Sequence, residues 1–154
     1  MIAPTDINRP IVEGLYAEAL DLSDAIRDAF DHSSRLDIAD EQDEQAQQTL
    51  SAESLRTTTR MMHALAWLLN QRAYLSGEMS EFQLRRHGRL PARHAAADPE
   101  QLRRLSPELC ELVEASERFY DRLQRLDTAW RKRFVMQPTA VERVRARMGI
   151  PGAA

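Results

Sequence analysis

The chain has 154 residues, a formal net charge of −3, 43% apolar and 29% charged residues, 5 glycines and 7 prolines. That size holds one domain with its own core and leaves little for a second, and a composition rich in good helix formers, with few β-branched or aromatic residues, points to an all-α protein. The single Cys110 excludes an intramolecular disulfide and suits a reducing compartment, the start "MIAPTDINRPIVEG" lacks a basic-then-apolar secretory pattern, and the most apolar stretch is interrupted by His63, Asn70 and Arg72 too soon for a membrane span, so the expectation is a cytoplasmic protein.

In chain order, the first long helix is expected over about 9–33. Ile11, Leu15, Ala19, Leu22, Ile26 and Phe30 recur every three or four residues and so share one face. Asn8 is placed to cap it and Pro10 fits its opening turn. Residues 35–50, "RLDIADEQDEQAQQTL", carry many acids and little to bury. They read as a solvated linker or an exposed extension of the next helix, or else as a docking segment for a basic partner.

A second long helix is expected over about 51–76, ending at Gly77, the residue best able to take the left-handed conformation after a helix. At 100° per residue, Leu55, Thr58, Met62, Leu65, Leu69 and Ala73 gather on one side and Met61, Ala64, Leu68 and Leu75 on an adjoining one. Arg56, Arg60, His63, Trp67, Asn70 and Tyr74 make the remaining stripe. The apolar arc is wider than one packing partner covers, which makes this helix central. Short capped helices follow at "SEFQ" (80–83), whose Ser80 and Gln83 form a capping box, and at "DPEQLRRL", where Asp98 precedes Pro99. The third long helix, about 106–136, opens at Ser106–Pro107 and sets Leu109, Leu112, Ser116, Phe119, Leu123, Leu126 and Trp130 in the seam of a bundle. On its other face Glu114 with Arg118 and Asp121 with Arg125 stand four residues apart, worth a few tenths of a kcal/mol per pair.

The expected architecture is an antiparallel three-helix bundle over 1–136 with short connecting helices and a mobile basic tail over 137–154. With two long neighbours, the second apolar flank of the central helix is left over. A homodimer meeting through Met61, Leu68 and Leu75 would cover it, and so would the chain's own connecting helices. Charge is unevenly spread: residues 1–53 are strongly acidic and 131–154 basic. The basic end, with Arg131, Lys132, Arg133, Arg143, Arg145 and Arg147, would suit a nucleic acid, but the acidic third would repel phosphate, so nucleic-acid binding is the lesser reading.

Catalytic chemistry finds no footing in the sequence. Cys110 has no neighbouring histidine, His87 and His94 supply only half of a zinc site, and no glycine-rich phosphate loop exists. No enzyme, cofactor or metal is expected. The stripe Arg56, Arg60, His63, Trp67, Asn70 and Tyr74 is therefore the candidate partner-binding set. The bland alternative has its cations bridging acids of the first helix such as Asp21, Asp24 or Asp28.

"ESLRTTTRMMHALAWLLNQRA" with "GEMS", and "LSPELCELVEASERFYDRLQRLD", resemble the regulator of CtrA degradation (RcdA) family of small alphaproteobacterial helical proteins over about residues 11–130. The resemblance implies a dimeric three-helix bundle acting as a non-enzymatic adaptor in cell-cycle proteolysis, joining the ClpXP protease once a primer has bound it and tethering cargo such as a transcription factor. It also implies scaffold or docking roles for Arg56, Arg60, Trp67, Gln71 and Arg72. Thr57 and His63 depart from the family pattern, as does the short basic tail.

Overall fold

The computed structural model describes residues 7–39, 44–136 and 140–149. Expectations for residues 40–43 of the acidic stretch, for Pro138 and for 150–154 lie outside the described residues, as does the side chain of Arg133. The chain is all-α: three long helices, α1 (Arg9–Ala39), α2 (Glu44–Leu75) and α5 (Pro107–Met136), pack together. The short α3 (Glu81–His87), α4 (Pro99–Leu102) and α6 (Ala140–Arg147) complete it, with no strand among the described residues.

The local signals act as their chemistry dictates. The Asn8 Oδ1 accepts the N–H of Ile11 at 3.1 Å, satisfying one of the donors that a helix start leaves without a partner. Ser80 and Gln83 exchange both bonds of the capping box, Asp98 caps α4, and the Ser106 Oγ accepts the N–H of Leu109 at 3.3 Å. Gly77 closes α2 with φ +80°. The long helices outrun the expected bounds: α1 continues to Ala39, and α2 begins at Glu44, so the Glu-, Gln- and Ala-rich part of the acidic stretch is helical.

α1 runs antiparallel to both partners. At one end Arg9 donates to the Leu75 carbonyl and Arg72 pairs with Glu13 at 2.9 Å; further along, Arg122 of α5 grips Glu18. α2 and α5, however, run parallel, because Arg60 reaches Ser116 while Trp67, two turns on, reaches Asp127. The segment 76–106 must therefore climb back along the bundle before α5 can start. Its course is pinned to α5 by Arg131 donating to the Arg85 carbonyl at 3.1 Å, Tyr120 Oη donating to the Pro91 carbonyl at 2.6 Å, and Arg93 on Asp121. Leu84, Leu90, Ala97 and Leu105 go inward along it, so the connector acts as a fourth, mostly non-helical layer. Each of the three leucines, so buried, contributes about 1.5–3 kcal/mol.

The core joins Val12, Leu15, Ala19, Ile26 and Phe30 of α1 to Met61, Ala64, Trp67 and Leu68 of α2. Leu109, Val113, Phe119, Tyr120 and Leu123 of α5 join it, with Leu50 of α2 and Leu90 and Leu105 of the connector. Val12 fills the inward position in place of the expected Ile11, which is partly exposed.

Candidate protein-docking surface

The six residues expected to bind a partner do not form one surface. Arg60 is 4% exposed: its Nη1 donates to the Ser116 Oγ at 2.7 Å, and its Nη2 lies 3.5 Å from Glu117. Burial pulls the guanidinium below its usual range, and Glu117 and Glu53 oppose that shift by favouring the charged form. Trp67 is buried with its indole N–H donated to Asp127 at 3.0 Å, and Arg131 holds the same carboxylate one turn on. Only parts of the stripe reach solvent. Arg56 is half-exposed and paired with the buried Glu53 at 3.1 Å; Tyr74 packs edge-on against Trp130; His63 sits 6.4 Å from the ring of His94. Asn70 is half-buried. Gln71 is sealed in the interior, and Arg72 lies over the Tyr16 ring while pairing with Glu13.

This stripe faces α5 and the connector, so its cations do not bridge Asp21, Asp24 or Asp28; Asp24 pairs with Arg27 instead. Likewise Glu114–Arg118 forms at 3.9 Å, but Asp121 is taken by Arg93 rather than Arg125. The sequence carried a signal for this turn of the helix: Ser116 and Asp127 are polar residues on the inward face of α5, and a buried polar group requires a partner. Arg60 and Trp67 are those partners.

The expected dimer contacts also need correction. Met61 and Leu68 are 3% and 0% exposed, packed inside the chain's own core, and Leu75 is partly buried. Met61 and Leu68 offer no open apolar contact area, whereas Leu75 lines a surface groove with Arg9, Leu69 and Arg72. The apolar residues of α2 that do face out are Leu55 (69% exposed), Met62 (64%) and Leu69 (47%). They recur every seven residues, and with Thr58 and Leu65 between them they form the three-and-four spacing of a coiled-coil seam. Ala52, Thr59, Ala66 and Ala73 flank the seam with small side chains. From residue 54 to residue 71 the only formal charges on α2 are Arg56 and Arg60, and both lie on the opposite side. Leu20 of α1 is also exposed, and beside the seam a groove of about 230 Å³ opens between Ser23, Ile26 and Phe30 of α1 and Thr58, Met62 and Leu65 of α2.

The family model described as "Protein of unknown function (DUF1465)" matches residues 3–150. The chain belongs to the DUF1465 family. This finding overturns the RcdA assignment drawn from the wording of two motifs, since the match over nearly the whole chain names no such family. No curated protein and no solved structure matches the chain.

In this DUF1465 protein no three His, Cys, Asp or Glu side chains among the described residues come together as a metal site. His94 lies beside His63 rather than His87. The Cys110 Sγ lies 2.9 Å from the Leu102 carbonyl, and burial, with Glu114 adding to it, pushes the thiol up and keeps it protonated. No described helix is long and apolar enough to cross a membrane.

Proposed function

We propose that this DUF1465 protein is a non-enzymatic docking protein, and that its α2 outer face holds a second protein chain, in the first instance another copy of itself. The charge-free face of Leu55, Met62 and Leu69 carries the reading. A solvated helix face normally alternates charged and polar residues, and this one has neither acid nor base along five turns. Its spacing is symmetric about Met62, so two copies related by a two-fold axis would set Leu55 against the partner subunit's Leu69 and Met62 against the partner's Met62. Leu20, Leu55, Met62 and Leu69 are 41% to 69% exposed, and the small flanking residues widen this patch toward the roughly 800 Å² that each side of a stable interface covers.

Adaptor action follows in the general sense of bringing proteins together without chemistry of its own. Delivery of cargo to ClpXP was implied only by the resemblance now corrected, so the proposal keeps the docking role without the protease. Light scattering on wild type and Met62→Glu tests it: wild type is expected as a dimer at micromolar concentration and the variant as a monomer of unchanged helicity. Wild type that stays monomeric up to about 100 µM, where even a weak dimer shows, sinks the self-association.

A nucleic-acid reading has in its favour the exposed Arg143, Arg145 and Arg147 of α6. Against it, Arg131 is engaged by Asp127 and the Arg85 carbonyl. Oligonucleotide binding that weakens steeply with salt and is lost when the three α6 arginines become serine would establish that reading.

A further inference from the structure

Phe82 is 70% exposed, yet it sits on one of the most tightly fixed turns of the connector. α3 has seven residues, too few to be stable alone. Four independent contacts hold it. The Ser80–Gln83 capping box closes its start with bonds of 2.9 and 3.1 Å, and Leu84 is buried completely. The Gly88 N–H donates to the Leu84 carbonyl at 2.8 Å, an approach so close that a Cβ at residue 88 would stand 2.6 Å from that oxygen. Arg131 of α5 donates to the Arg85 carbonyl from below. With Leu84 turned inward, Phe82 and Arg86, two residues to either side, both lie about 200° round the helix and share its outward face. The fold thus spends several bonds on holding an aromatic ring in water.

The stretch that follows the ring is cationic, while Glu78 and Glu81 stand just before it. From Phe82 to Ala97 there is no Asp or Glu, while Arg85, Arg86, Arg89 and Arg93 and two histidines fall in the same stretch. Arg93 is occupied by Asp121 and Glu117, but Arg86 and Arg89 are exposed and have no ion pair among the described residues. α5, which lies along this stretch, adds the exposed Arg125 and Lys132.

We infer that Phe82, Arg86 and Arg89 form a second docking site, for an acidic protein segment that carries an apolar side chain. An aromatic anchor followed by the exposed Arg86 and Arg89 suits both halves of such a ligand: the ring packs on the apolar side chain, and the forked donors take the carboxylates. Nucleic acid fits less well. Single strands are held by successive aromatic platforms, whereas Phe82 stands alone, and the acidic first third of the chain repels a long polyphosphate more than a short peptide. This site is separate from the α2 face and does not depend on it.

Selection of random phage-displayed dodecapeptides on the full chain tests the inference. Enriched peptides are expected to carry two or more Asp or Glu around an apolar residue and to bind less well as salt rises. Phe82→Ser and Arg86→Glu should each weaken those peptides at least about tenfold, with thermal midpoints unchanged because both side chains face solvent. Met62→Glu should leave them bound as before, which separates this site from self-association. No enrichment, enrichment without acidic residues, or equal binding to the Phe82 and Arg86 variants would overturn it. So would an oligothymidylate that binds through Phe82 where the acidic peptides do not.

Discussion

Replacing Arg60 by alanine should destabilise the bundle more than removing any surface cation. The guanidinium is 4% exposed and makes a 2.7 Å bond to Ser116, and the carboxylates of Glu117 and the fully buried Glu53 both favour its charge. Its removal leaves Ser116 with the Val113 carbonyl as hydrogen-bond partner, and leaves Glu53 with the half-exposed Arg56 alone. Breaking a buried pair from one side costs about 3–5 kcal/mol, and the cations that remain, Arg56 at 3.1 Å from Glu53 and Arg93 at 3.8 Å from Glu117, put this loss at the low end, about 3 kcal/mol. At about 2–4 °C per kcal/mol for a chain of this size, the thermal midpoint should fall by about 6–12 °C. Arg118→Ala is the control: its pair with Glu114 is well exposed on both sides, so it should cost less than about 1 kcal/mol. Circular dichroism melts at pH 7 read both. If Arg60→Ala melts within about 2 °C of Arg118→Ala, the buried α2–α5 polar seam is not what holds these helices in register.

The orientation of α2 has its own test. Leu68→Ala should cost about 2–5 kcal/mol by opening a cavity in the core, whereas Leu55→Ala, at 69% exposure, should stay within about 0.5 kcal/mol in the monomer. Equal losses in urea melts would mean that the helix is rotated. Tyr120, pushed up to about 12 by burial with its hydroxyl donated to Pro91, ties stability to alkaline pH. Its folded pKa lies above the ordinary value near 10, so its contribution is complete below about pH 10 and is lost as the pH climbs to about 12. Urea unfolding between pH 8 and 12 should show that loss in wild type and not in Tyr120→Phe; parallel curves would refute the assignment.

Caps and periodicity made much of the fold legible. Asn8, Ser80 with Gln83, Asp98 and Ser106 announce helix starts through chemistry confined to three or four residues, and all of them cap as read. The rotation of α2 was not legible by the same means. Its hydrophobic arc is continuous from Met61 to Leu55, so periodicity has no edge at which to divide core from surface, and the misplacing of Met61 and Leu68 at a dimer contact follows from that. Arg60 and Trp67 are read as surface residues only while Ser116 and Asp127 are overlooked. The docking knob at Phe82 left no periodic trace, because a seven-residue helix is too short to show one.

The sequence by itself determined that this is an all-α chain of three long helices with capped short ones between them, since those facts depend on neighbours a turn apart. Only the tertiary structure decided the directions. A connector of some thirty residues lets α5 run parallel to α2, and that arrangement turns a cationic and aromatic stripe into an interior seam and leaves the opposite, charge-free face of α2 in solvent. The physical reason is that a helix fixes which residues share a face, whereas which face is buried depends on groups fifty or more residues away.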